Sequence, residues 1–168
     1  MLKLLPRIDR SQVKSVTISM PGGSRTFRDA AMPALNIRYL MAIILLDGRL
    51  DFVSAQSLQR MHGDAKAKAL MAKVDVVHDP AQEAPEGTPR TESARVVVVQ
   101  EDGRRHEVFI PYVVGFPSHP MSKADVEGKA LELMSPRLGA SRARAVVSAV
   151  WGLDELRAGG DLARLIAS

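Results

Sequence analysis

Four histidines are the first place to look for chemistry: His62, His78, His106 and His119. Their separations match no metal-ligand spacing, so no metal site is expected. Three of them read as ordinary surface or hairpin side chains. His119 differs, because Ser118-His119-Pro120 lies in a predicted loop with apolar Tyr112, Val113, Val114 and Phe116. Loops carry function more often than helices do, which makes His119 a candidate ligand contact. The carboxylates form no acid–base couple by spacing. Asp125 and Glu127 fall on different sides of one predicted helix, and Glu101-Asp102 occupies a turn. No nucleophile-elbow sequence is present. Gly22-Gly23-Ser24 follows a strand but lacks the spacing of a P-loop or a dinucleotide fingerprint, so it reads as a turn. Arg137, Arg142 and Arg144 make a basic patch without interleaved aromatics, a solvated face or partner surface rather than a nucleic-acid reader. Composition and spacing alone therefore supply no catalytic site.

Several function classes are excluded outright. With no cysteine, disulfides, thiolate zinc sites, iron–sulfur clusters and a cysteine nucleophile are all ruled out. The formal charge of +4 is a small surplus, of the size that keeps a protein soluble. One Trp, two Tyr and four Phe leave little for base-stacking platforms, so no nucleic-acid partner is expected. No cofactor is expected either. The longest apolar run, Tyr39–Leu46, is far short of a membrane span. The apolar patch of Met1–Pro6 is too short for a signal peptide. A cytoplasmic protein with no membrane partner is the expectation.

The elements that must position any site alternate between strand and helix. Val16, Ile18 and Met20 alternate with Thr17 and Ser19, a half-buried strand ended by Pro21-Gly22-Gly23. Pro33 opens a helix through Leu46, and Gly48 fits a left-handed C-cap. A helix is predicted over 53–61 and another from the N-cap Asp64 to Lys73, followed by a strand over Val74–Val77. Residues 79–93, with Pro80, Pro85, Gly87 and Pro89, read as a long surface loop without structure of its own. Arg95–Gln100 and Arg105–Ile110 form a hairpin across Glu101-Asp102-Gly103. Ser122 and Asp125 make a capping box for a helix ended by Pro136. Ser141–Leu153 and Asp161–Ile166 supply the last helices. The fold class is α+β: an antiparallel sheet with helices on one face, then a C-terminal helical tail. The expected division is an α+β part over 1–120 and helices over 121–168.

One segment then points to a family. The run Ala34-Leu35-Asn36-Ile37-Arg38-Tyr39-Leu40-Met41-Ala42-Ile43-Ile44-Leu45-Leu46-Asp47-Gly48 resembles the MmgE/PrpD family of 2-methylcitrate dehydratases, cis-aconitate decarboxylases and iminodisuccinate epimerases. In that family a tyrosine leads into a small-and-apolar helix closed by Leu-Leu-Asp-Gly. Downstream features follow in the family's order: Leu70-Met71-Ala72-Lys73-Val74, the Glu101-Asp102-Gly103-Arg104 hairpin, and Gly115-Phe116-Pro117-Ser118-His119-Pro120-Met121-Ser122 with Lys129 seven residues later. Leu138-Gly139 and Trp151-Gly152-Leu153-Asp154-Glu155-Leu156 complete the likeness, which runs from about Ile8 to the end.

The resemblance implies a partial enzyme. Family members combine a large helical domain with a smaller α+β lid, and this chain is similar to the lid plus its C-terminal helices. The helical domain's acid–base residues, and the family's lysine and histidine just upstream of the lid, are expected to precede Met1. Only the tyrosine carries over, to Tyr39, as a substrate contact or a packed core side chain. Arg38 stands where the family commonly has Pro or Gln, and its guanidinium can pair with a carboxylate or face solvent. The implied chemistry is metal-free proton abstraction beside a carboxylate, followed by loss of water or carbon dioxide or by reprotonation. Tyr39, Arg38 and His119 are the substrate-binding candidates, and no catalytic residue is assigned. The implied function is the lid part of a lyase for a small carboxylic acid, inactive without a separate helical subunit. The alternative is a free-standing, non-catalytic binding domain that forms a homo-oligomer.

Overall fold

The computed structural model describes residues 1–88, 92–155 and 159–167; Pro89 of the predicted loop and Leu156 of the last family-like stretch lie outside the described residues. The chain divides into two compact units, Met1–Val113 and Val114–Ser168.

The first unit is built on a four-stranded sheet of β1 (Val13–Met20), β2 (Val74–His78), β3 (Ala94–Gln100) and β4 (Arg105–Ile110), in the order β2-β1-β3-β4. Strict alternation sets its inner face. Val16, Ile18, Val74, Val76, Val96 and Val98 are buried, while the residues between them are partly or fully exposed. In register, Val16 stands opposite both Val74 and Val98, and Ile18 opposite Val76 and Val96. The β3–β4 hairpin is antiparallel as its Asp102-Gly103 turn predicts, and Gly103 takes φ 85.

The α+β class stands, with one difference in the sheet. β1 and β2 run parallel, so the sheet is mixed rather than wholly antiparallel. The cause is the connection between them, a series of short helices that returns the chain to its starting end. These are α1 (Ser24–Arg28), α2 (Ile37–Asp47), α3 (Phe52–Ala55), α4 (Leu58–Gly63) and α5 (Ala65–Met71). Ile44 and Leu45 of α2, with Phe27 and Leu70, pack on the inner sheet face. The opening residues, read above only for targeting, form a 3-10 segment over Leu2–Arg7 that buries Leu4 completely in this core.

One predicted helix and one predicted loop differ in the structure. The helix expected over 53–61 is two short ones, because the Ser57 side chain accepts from the Arg60 amide and starts α4 afresh. The loop over 79–93 also has structure at its ends. Pro80–Gln82 is a 3-10 turn, and buried Gln82 donates to Ser19 Oγ at 3.1 Å and accepts from Ser93 Oγ at 2.9 Å.

The second unit contains α6 (Lys123–Leu138), α7 (Ala140–Trp151) and α8 (Gly159–Ile166). The Ser122–Asp125 capping box is present as predicted. Pro136 lies inside α6 rather than ending it, since proline removes one backbone donor while the Gly139 amide still bonds to the Ser135 carbonyl. Gly139, at φ 77, then turns the chain into α7. Ala143 and Val146 are buried, and the Lys123 ammonium sits 4.6 Å from the centre of the Trp151 ring. Among the described residues no helix is long and apolar enough to cross a membrane.

Candidate functional site

Asn36 fixes where α2 begins. Its Oδ1 accepts the Tyr39 amide at 3.0 Å, and its Nδ2 donates to the Ala30 carbonyl at 2.8 Å. Tyr39 is thereby placed in the first turn, facing inward. It is fully buried, in a small cluster with Ile43, Met61 and Ala67. A buried phenol needs a partner for its O–H, and Tyr39 donates to the Ser54 carbonyl at 2.6 Å. That carbonyl lies at the end of the four-residue helix α3 and also accepts the Ser57 amide at 3.3 Å. Burial pushes the Tyr39 phenol above its ordinary value, and the nearby Arg60 charge only partly opposes this. At neutral pH the group is a hydrogen-bond or proton donor, not a base.

At the other end of α2, Asp47 meets Arg60 of α4. Arg60 Nη1 donates to Asp47 Oδ2 at 2.6 Å and Nη2 to Oδ1 at 3.0 Å, a two-bond fork. The hydrogen bond from Arg60 holds the Asp47 carboxyl below the ordinary range. Asp64 stands 3.8 Å from Arg60 Nε. Sequence reasoning missed this pair. Asp47 was visible only as part of a helix ending, and a thirteen-residue separation across two helix breaks leaves no periodic signal.

Arg38 neighbours Tyr39 in sequence but faces another way. Its Nε donates to the Met71 carbonyl at 3.0 Å, and its Nη1 lies 3.5 Å from Asp29 Oδ1. The guanidinium thus ties the start of α2 to the end of α5. His119 belongs to the second unit. Its ring Nδ1 is 3.1 Å from Ser118 Oγ, and its backbone pairs with Phe116 and Gly115 in a tight turn. Arg38 and Tyr39 are therefore neighbours with separate partners.

The other polar groups have local duties. His106 pairs with Gln100 Oε1 at 2.9 Å. His78 Nε2 and the Gly22 amide both meet Glu83 Oε1, at 2.8 and 2.7 Å, so a carboxylate of this chain closes the glycine turn. A groove of about 670 Å³ lies between Ile8–Ser11 and the helices α2 and α5. Two of its cations already serve backbone: Arg10 donates to the Leu45 and Leu46 carbonyls, and Lys73 to the Val13 carbonyl. Among the described residues, no three His, Asp or Glu side chains group as a metal site would require.

Residues 3–155 match the family model of the MmgE/PrpD C-terminal domain. Comparison with curated proteins finds no match.

Proposed function

The chain belongs to the MmgE/PrpD family through its C-terminal domain, and on that premise we propose that it is the lid part of a lyase for a small carboxylic acid. The family match over residues 3–155 is the observation that carries this reading. The reaction we propose is proton abstraction beside a carboxylate, then loss of water or carbon dioxide, or reprotonation. Such a reaction needs a base, an acid and cationic groups around the developing charge. Tyr39 fits the acid or hydrogen-bonding role, because burial keeps its phenol protonated. Arg38 and His119 are the proposed contacts for substrate carboxylates. The base is proposed to come from the family's helical domain, on a separate subunit in the cytoplasm, because the ionisable groups nearest Tyr39 are already paired with each other.

A second reading has its own support. Tyr39 bonded to Ser54 and Arg38 bonded to Met71 both serve packing. A non-catalytic binding domain that forms a homo-oligomer would use them in just that way.

Reconstitution separates the two. The purified chain should not turn over citrate-like or aspartate-like acids. Mixed with a separately expressed helical domain of the family, it should form a complex with turnover, reduced by Tyr39→Phe. Turnover by the chain alone would overturn the partner requirement. Failure to bind any helical domain, with self-association instead, would favour the second reading.

A further inference from the structure

We propose that Asp51–Gly63, the stretch carrying α3 and α4, is a hinged cover over Tyr39, and that the Arg60–Asp47 pair is the latch that holds it shut. The inference rests on the substrate-contact reading of Tyr39, since it describes how that phenol is reached. What lies against the Tyr39 hydroxyl is backbone of this stretch, the Ser54 carbonyl at 2.6 Å. Moving the cover therefore uncovers the phenol and removes its hydrogen-bond acceptor in one step.

The attachment of the cover is thin and mostly polar. α3 buries none of its residues, and α4 buries Met61 alone. Helices of four and six residues do not sustain themselves in water. Here they rely on side-chain caps, with Asp51 Oδ1 accepting the Ser54 amide at 2.8 Å and Ser57 Oγ accepting the Arg60 amide at 3.1 Å. The fork from Arg60 to Asp47 is a two-bond, charge-assisted side-chain link from the cover back to α2. On the outer side, Phe52, Val53 and Leu58 are 46, 66 and 56 % exposed. Few buried apolar contacts combined with polar fastening is the pattern of a segment that opens locally.

Both ends of the cover have fixed neighbours. Gly48, at φ 71, ends α2 before it, and Leu50 packs against both core clusters. Beyond it, Asp64 caps α5 through the Lys66 and Ala67 amides at 2.8 and 3.2 Å. The stretch can swing between these points while Val96 and Val98 stay in the sheet core, a cluster separate from that of Tyr39.

The test uses the full chain with Tyr112→Phe, which leaves Tyr39 as the sole tyrosine. Two readouts are followed: nitration of Tyr39 by tetranitromethane, and amide hydrogen exchange across 52–63 and 96–98. Amides of 52–63 should exchange faster than those of Val96 and Val98. Arg60→Ala and Asp47→Asn should each raise both nitration and exchange of 52–63 by about 3- to 10-fold, with amides of 52–63 still exchanging faster than those of the sheet. Arg60→Lys, which keeps the charge and loses the fork, should give a smaller increase in the same places. Exchange of 52–63 in step with the sheet, or nitration that rises only with global unfolding, would overturn the proposal. If the cover opens as described but Tyr39→Phe leaves the reconstituted lyase unaffected, the cover stands and the substrate role of Tyr39 falls.

Discussion

Arg10 Nη1 lies 3.0 Å from the point where a Cβ on Gly48 would stand. The same nitrogen donates to the Leu45 and Leu46 carbonyls at 3.1 Å each, groups left without partners at the end of α2. A cation at a helix C-terminus is favourable for the dipole as well as for the carbonyls. Gly48 thus meets two demands, a left-handed backbone at φ 71 and room for a guanidinium.

Gly48→Ala should therefore destabilise the fold by about 1–3 kcal/mol, from left-handed strain and displacement of Arg10. Gly63→Ala is the control. Gly63 is helical, and nothing lies within 4 Å of its would-be Cβ. That change should be neutral or stabilising by up to about 1 kcal/mol. Urea unfolding of the two variants checks the contrast, and equal losses would contradict it.

Tyr39 should contribute to the loss of stability at alkaline pH. Its phenol is raised by burial, so the folded state holds its proton more tightly than the unfolded chain does. The stabilisation is fully present below about pH 10, the unfolded value, and is lost as pH rises through the higher folded one. Tyr39→Phe should flatten that alkaline loss. At pH 7 it should cost about 1 kcal/mol, for the hydrogen bond given up by the Ser54 carbonyl. Unfolding followed from pH 7 to 11 tests both statements, and an unchanged alkaline slope would refute the first.

Local rules carried much of the fold. The alternation in Val16–Met20, the Asp102-Gly103 turn, the Asp64 cap and the Ser122–Asp125 box each act over a few residues, and each is where the sequence places it. What escaped was non-local. Parallel pairing of β1 with β2 depends on the route of five helices between them. Ser57 sits inside an apparently continuous helical pattern, which hides its role as the cap of α4. At the candidate site, the Leu-Leu-Asp-Gly resemblance located Tyr39. Its partner Ser54 and the pairing of Asp47 with Arg60 come only from how α3 and α4 fold back on α2.

The capping box of α6 gives a prediction for the second unit. Ser122 Oγ accepts the Asp125 amide at 3.1 Å, and Asp125 Oδ2 accepts the Ser122 amide at 3.0 Å. Ser122→Ala should destabilise this unit by about 0.5–2 kcal/mol. Trp151, the sole tryptophan, lies under Lys123 in the first turn of α6 and reports on it by fluorescence. An unfolding curve followed at Trp151 and unmoved by the substitution would show that the box does not hold the helix start.

Acid should act through the Asp47–Arg60 fork. The hydrogen bond from Arg60 holds the Asp47 carboxyl below its ordinary value, so the unfolded chain takes up this proton at a higher pH than the folded protein does. Stability from the pair is then complete above the unfolded value of about 3.9 and is lost as pH falls through the depressed folded value. Asp47→Asn removes that term, so the variant should be less stable than wild type at pH 6, with the gap narrowing as pH falls below about 4. Asp51 and Asp102 are also held low, by the Ser54 and Arg104 amides. Asp102 is unaffected by the change and cancels in the difference, while Asp51, whose charge acts on Asp47, keeps its Ser54 hydrogen bonds in both proteins. The pair is about one-quarter to one-third exposed, so the gap should also shrink in 1 M salt, which screens partly exposed charges. A gap that does not narrow as pH falls through the acid range would mean that Asp47 contributes through packing rather than charge.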